Sequence, residues 1–383
     1  MTDQLLRPES ESPVFARPIR VGQFNLPVWQ HFEAAMRGIF ERRYYTNQGP
    51  AARQFEGRLE ALLKVRHAIC VTNPTIGLMM AIEALGISGR VLVPGVRNQM
   101  VDHALAWCGL EAAYCDVDPA TGMLGAEGLS DVASMRFSAV LGANLWGDAC
   151  DLVALEQFAT RQEIPLILDS SHAFGCQTAN RHIGGFGAIE VLSFDESDIL
   201  NAAGGGCVTT NDDKLAARLR NIRSSYGAGR PVQVVKTSNG RMSEAQAALG
   251  LLSLDDWEAN RLRNLRLFDA YCARLNRITG IRVIEPQGVT LSNHQALICE
   301  VDAVRFGVSR DKLIAHLARA NVEALAVQAT QPQPSTLKAT THISECWLSL
   351  PVGAHVSEAM VLAICDLVEQ AAELGVHARG EAL

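Results

Sequence analysis

The sequence predicts an α/β protein, a mostly parallel central sheet flanked by helices, followed by a smaller α+β C-terminal domain. Three observations point there. Short apolar runs alternate with helical segments from residue 67 to residue 210. A long helical stretch, continuous or broken, covers 243–275, and a later block mixes strand patterns with further helices.

Trp29, Phe32, Met36, Ile39 and Phe40 recur at helical spacing and open the fold with an amphipathic helix. Phe55, Leu59, Leu62 and Leu63 give a second. Strand patterns follow at 67–72, 90–93, 110–115, 138–141, 165–168, 189–194 and 206–210, with helices at 75–87, 100–108 and 152–161 between them. That alternation implies right-handed crossovers and a sheet covered on both faces. After the long helix come strands at 280–284 and 295–301, helices at 310–320 and 357–374, and a loop at 328–335. The expected division is an N-terminal arm (1–25), a large domain (26–250) and a small C-terminal domain with the long linking helix (251–383), and Glu9, Ser10, Glu11 and Ser12 read as a loose polar leader.

A chain of 383 residues, 48% hydrophobic, has ample material for such a core. Its net charge of -7 offers no basic surface for nucleic acid or anionic lipid. No apolar stretch approaches a membrane span and no signal-peptide pattern opens the chain, so a cytoplasmic protein is expected. The ten cysteines are scattered, with no C-x-x-C pair and no histidine at zinc-finger spacing. Buried thiols are the reading, and no metal site.

Ligands of parallel sheets bind beyond the carboxyl ends of the strands. The residues standing there are Asn73-Pro74-Thr75, Pro94-Gly95-Val96-Arg97-Asn98, Asn144-Leu145-Trp146-Gly147, Asp169-Ser170-Ser171-His172 and Ser193-Phe194-Asp195-Glu196-Ser197-Asp198. With Thr46-Asn47-Gln48-Gly49-Pro50, Cys115-Asp116-Val117-Asp118-Pro119, Gly205-Gly206, Ser238-Asn239-Gly240-Arg241 and Leu348-Ser349-Leu350-Pro351, this ordered set resembles the DegT/DnrJ/EryC1/StrS sugar aminotransferases, pyridoxal-phosphate enzymes of fold type I. The resemblance covers nearly the whole chain.

It implies a role for each matching residue. Asp169 takes the position of the carboxylate that keeps a pyridinium nitrogen protonated. His172 stands where the family places Gln or His beside the ring hydroxyl. Pro74, Thr75 and Ile76 open the helix at the phosphate-binding turn, Ser193 matches a serine reaching the phosphate, and Asn239 matches a residue donated across a dimer interface. Taken singly, each is ordinary capping or turn chemistry; together they suggest a surviving anionic pocket. A dimer is implied, with Trp29 and residues 44–47 near its interface.

The departures are as informative. Family members carry a lysine in an S-F-x-x-x-K run, and here that position is Asp198. The chain has only Lys64, Lys214, Lys236, Lys312 and Lys338 elsewhere, of which Lys236, near the interface loop, is the candidate for rescue from a neighbouring protomer. Asn98 replaces the aromatic that stacks on the cofactor, Gly204 replaces an acidic residue, and Ala324-Leu325-Ala326-Val327 replaces an Arg-Arg-Tyr-like substrate strand. Three functions are expected from this pattern. The first is a repurposed biosynthetic enzyme holding pyridoxal or pyridoxamine phosphate non-covalently, with Asp198 and His172 catalytic and Asp198 as acid/base in dehydration, isomerisation or another imine-linked step. The second is an inactive partner subunit of a related aminotransferase, as homodimer or heterodimer. The third is a cofactor-independent enzyme in the inherited cleft, using Asp198, His172 and Asp169 on a small molecule.

Overall fold

The computed structural model describes residues 13–46, 48–224, 239–329 and 336–380. Lys236, Asn47 and most of the 328–335 loop lie outside them.

Helices α1 (Trp29–Arg42) and α2 (Pro50–Leu63) precede the sheet. Gly49 and Pro50 start α2 because Glu244, reaching from a later helix, accepts the N–H groups of Ala51 (2.9 Å) and Ala52 (3.0 Å). A Cβ on Gly49 would stand 2.4 Å from that carboxyl group. The alternating block is β1 (His67–Val71), α3 (Pro74–Leu85), β2 (Arg90–Pro94), α4 (Gln99–Trp107), β3 (Glu111–Cys115), α5 (Ala126–Asp131) and β4 (Ala139–Ala143). It continues through α6 (Leu152–Gln162), β5 (Leu166–Asp169), β6 (Ile189–Ser193), β7 (Gly206–Thr210) and α7 (Asp213–Arg223). Then come α8 (Glu244–Leu275), β8 (Ile281–Ile284), β9 (Leu297–Val301), α9 (Ala303–Phe306), α10 (Arg310–Arg319), β10 (Leu325–Ala326), α11 (Lys338–Cys346), β11 (Trp347–Leu350) and α12 (Glu358–Gly380).

The seven strands of the large sheet run in the order β1-β7-β6-β5-β4-β2-β3. Six run in one direction, while β7 alone runs antiparallel, to both β6 and β1. The direction of strand progression reverses between β2 and β4, which opens a crevice at their carboxyl ends. The second sheet, β10-β11-β9-β8, is wholly antiparallel.

The 243–275 stretch is one unbroken helix of 32 residues, fixed at its start by a capping box in which Ser243 and Gln246 satisfy each other's backbone. The expected boundary at 250/251 falls inside it: Ala247, Ala248 and Leu254 belong to the core under the large sheet, Leu267, Phe268, Tyr271 and Leu275 to that of the small domain. The expected loose leader at Glu9, Ser10, Glu11 and Ser12 lies outside the described residues, and the described part of the arm is held against the body of the protein. Ile19 bridges Val322, Val21 N–H donates to Glu323 (2.7 Å), and Gln23 Nε2 donates to the Gln295 carbonyl (2.6 Å).

One buried carboxyl needs a physical account. Glu190, mid-strand in β6, is fully enclosed, and burial pushes it up to about 8. It stays protonated at neutral pH because an ionised group there would lose its hydration.

Candidate functional site

A cleft of about 640 Å³ lies where the loops after β2, β4, β5 and β6 face β9, β10 and β11. Val96, Leu145, Trp146, Ile298, Leu325, Val327 and Leu350 form its apolar wall. Asn98, Gln99, His172, Ser197, Gln295, Gln328 and Ser349 supply neutral polar groups. The arm closes one side through Val21 and Gly22. The charged lining residues among those described are Arg97 and Asp102, and they satisfy each other: Arg97 Nε donates to Asp102 Oδ1 at 3.0 Å. The same guanidinium donates to the Pro94 carbonyl (2.9 Å) and lies 4.7 Å over the Tyr114 ring.

Asp169 ends β5 and is fully buried. Its Oδ1 accepts the Ser171 hydroxyl (2.6 Å) and N–H (3.1 Å), and its Oδ2 accepts Asn98 Nδ2 (2.9 Å). Burial raises its pKa and those donors pull it partly back. His172 is neutral, since burial lowers it to about 4. The Trp146 N–H points at its Nδ1 from 3.4 Å, so the ring proton sits on Nε2.

Asp198 sits in the turn after β6. Oδ1 accepts Gln295 Nε2 (2.9 Å) and Oδ2 accepts the Asp195 N–H (3.0 Å). Burial, with the charge of Asp195 adding to it, outweighs these donors and the Ser193 hydroxyl and pushes Asp198 up to about 7. Its neighbours Ser197 and Gln295 line the cleft, and Asp198 lies behind them. Gln295 also accepts the Ile199 N–H at Oε1 (3.1 Å), so both ends of its amide are committed.

The expected phosphate turn is occupied by its own side chains. Pro74 has no N–H, and Asn73 Oδ1 accepts the Ile76 N–H at 2.9 Å. Ser193 lies opposite Gly206, whose Cβ would meet Pro74 N at 3.1 Å. Asn239 is exposed at the surface and accepts from Arg241 Nε (3.1 Å). The structure therefore brings Asn98, Asp169 and His172 together, leaves Asp198 behind Gln295, and puts Asn239 apart from the cleft. Sequence reasoning missed Gln295 and Asp102, and it placed Asn73 and Arg97 at the strand ends without the roles they take here. Only Asn73 carried a local signal, an Asn before Pro at a strand-to-helix turn.

The matching family model spans residues 29–369 and is the DegT/DnrJ/EryC1/StrS aminotransferase family. The chain belongs to this family. Relatives include a dTDP-4-amino-4,6-dideoxy-D-glucose transaminase of Shigella dysenteriae, 28% identical over 80% of this chain and 83% of that one. A GDP-perosamine synthase of Caulobacter vibrioides is 29% identical over 70% and 74%. Among solved structures, DesI with its TDP-sugar product superposes with a TM-score of 0.91 at 32% identity, covering 97% of both chains. The family and these neighbours imply pyridoxal or pyridoxamine phosphate as cofactor. As in other members of the DegT/DnrJ/EryC1/StrS family, the fold is enzyme-like, and no helix among the described residues is long and apolar enough to cross a membrane.

Such a cofactor asks three things of a protein: a carboxylate at the ring nitrogen, an amine at the aldehyde carbon and N–H donors at the phosphate. Asp169 meets the first. The four lysines among the described residues, Lys64, Lys214, Lys312 and Lys338, are all exposed and none lines the cleft. The phosphate turn is self-capped. The described residues fit the ring end of the group and do not fit its phosphate or, for pyridoxal phosphate, its aldehyde.

Proposed function

We propose that this chain is a non-transaminating member of the DegT/DnrJ/EryC1/StrS family that binds an uncharged, partly apolar small molecule in the inherited cleft and works as a dimer subunit. One observation carries this reading: at the strand end where the family keeps its lysine, the Asp198 carboxyl is clasped on both oxygens by Gln295 and Asp195. A carboxyl has no amine to offer and cannot form a Schiff base. The mutual pairing of Arg97 and Asp102 leaves no available cation among the described residues of the cleft, which supports a neutral ligand. Exposed Trp29, Phe40, Tyr44 and Tyr45 support pairing, with a second copy or with a lysine-bearing relative.

The alternative is acid–base chemistry by Asp198, with pyridoxal or pyridoxamine phosphate held non-covalently or with no cofactor at all. Its pKa of about 7 favours this, because proton transfer works best near the operating pH. Complementation of a deletion strain with Asp198→Asn separates the readings. Unchanged product supports the subunit reading; a loss of about a hundredfold or more, with fold and dimer intact, overturns it in favour of catalysis.

A further inference from the structure

We infer that the turn between β1 and α3 is closed to phosphate, so that this chain does not hold pyridoxal or pyridoxamine phosphate by the anchor its family implies. Phosphate at a helix N-terminus is held by the free N–H groups of the first turn. Here the first of them is absent at Pro74, and Asn73 Oδ1 takes that of Ile76 at 2.9 Å. Thr75 alone is left between them. The carboxamide cap already takes the Ile76 N–H that an anion would otherwise accept.

The opposite wall is closed in a second, independent way. Ser193 pairs with Gly206, and Gly206 abuts Pro74, so the serine stands across one residue from the turn. Its hydroxyl is engaged with the carboxyl groups of Asp195 and Asp198, and its oxygen accepts the Asp195 N–H at 3.4 Å. A dianion entering here would meet two acidic side chains, and Asp198 would have to take up a proton to admit it. Loss of donors on one wall and gain of carboxyls on the other act in the same direction.

The test compares pyridoxamine phosphate with pyridoxamine, probes that lack the aldehyde and so do not react with exposed lysines. Calorimetric titration of the full-length dimer measures the phosphate's contribution as the ratio of the two dissociation constants. We expect a ratio within about threefold of one, or no saturable binding of either. Each charge-assisted hydrogen bond to a phosphate is worth about tenfold or more, so a ratio above about a hundredfold overturns the inference. So does pyridoxamine phosphate co-purifying in stoichiometric amount. Asn73→Gly with Pro74→Gly frees two donors and is expected to raise the ratio about a hundredfold; failure of that variant to fold leaves the wild-type ratio to decide. This result is separate from the subunit reading, since a chain that holds the phosphate tightly still lacks an amine at position 198.

Discussion

Asn98 donates from Nδ2 to Asp169 Oδ2 across 2.9 Å and joins the loop after β2 to the end of β5. The residue replacing a stacking aromatic has thereby become a partner of the buried carboxylate. With Ser171 on the other oxygen, Asp169 is satisfied by the chain's own side chains.

Asn98→Ala removes that donor and leaves Oδ2 short of a partner. We expect a loss of about 1–3 kcal/mol in urea unfolding and a further rise of the Asp169 pKa. An unchanged midpoint would show that Asp169 draws nothing from Asn98.

Asp198→Asn tests the pH dependence of the clasp. The folded pKa of about 7 lies above the unfolded carboxyl value, so the native state binds the extra proton. Its contribution is complete below pH 4 and is lost as pH rises through 7. Asp198→Asn should flatten that part of the stability curve, read from unfolding midpoints between pH 4 and 8.

Glu190→Gln should act in the same sense over a wider window. Burial holds Glu190 protonated up to about pH 8, so wild-type stability falls as pH rises from about 4.5 through 8. The amide keeps the shape without the charge. We expect a gain of a few kcal/mol at pH 8.5 and little change at pH 4, measured by chemical denaturation.

Much of this architecture was legible in the sequence because apolar periodicity reports burial directly. Strands β1 to β7 fall close to their expected ranges, and α1, α2 and α8 are marked by their own apolar spacing and caps. The short elements escaped. Helix α7 is polar and short, and β11 is four residues set between β10 and β9, too short for its own periodicity to show. The site was legible as a set of strand ends and illegible as a network. Gln295 reaches Asp198 across 97 positions, and nothing local in either residue announces the other. Asn73 and Pro74 matched a phosphate turn by position, while their chemistry closes it.

Borohydride reduction after incubation with pyridoxal phosphate should leave no pyridoxyl group within the peptide holding Asp198. Peptide mass spectrometry reads the outcome. Specific, stoichiometric labelling of Lys236 would establish rescue from a neighbouring protomer and restore transamination as the activity.

Trp29→Glu places a charge on the exposed apolar face of α1, where Trp29 is 65% accessible in the single chain. Sedimentation should show a dimer for the wild type at micromolar concentration and a shift toward monomer for the variant. A wild-type monomer would remove the subunit reading.

Helix α8 has a practical consequence for anyone dissecting the chain. At about 1.5 Å per residue it extends roughly 48 Å, with its first turn capping α2 and its far end bonding Pro351 through Tyr271. Gly250 lies where a Cβ would touch the Phe55 ring at 2.6 Å, so the ring of α2 sits directly on the α8 backbone at the very point where a cut between domains would be placed. Neither half would keep a finished surface. A protease nick inside α8 should yield two fragments that travel together through gel filtration, and separate expression of 26–250 should give insoluble material.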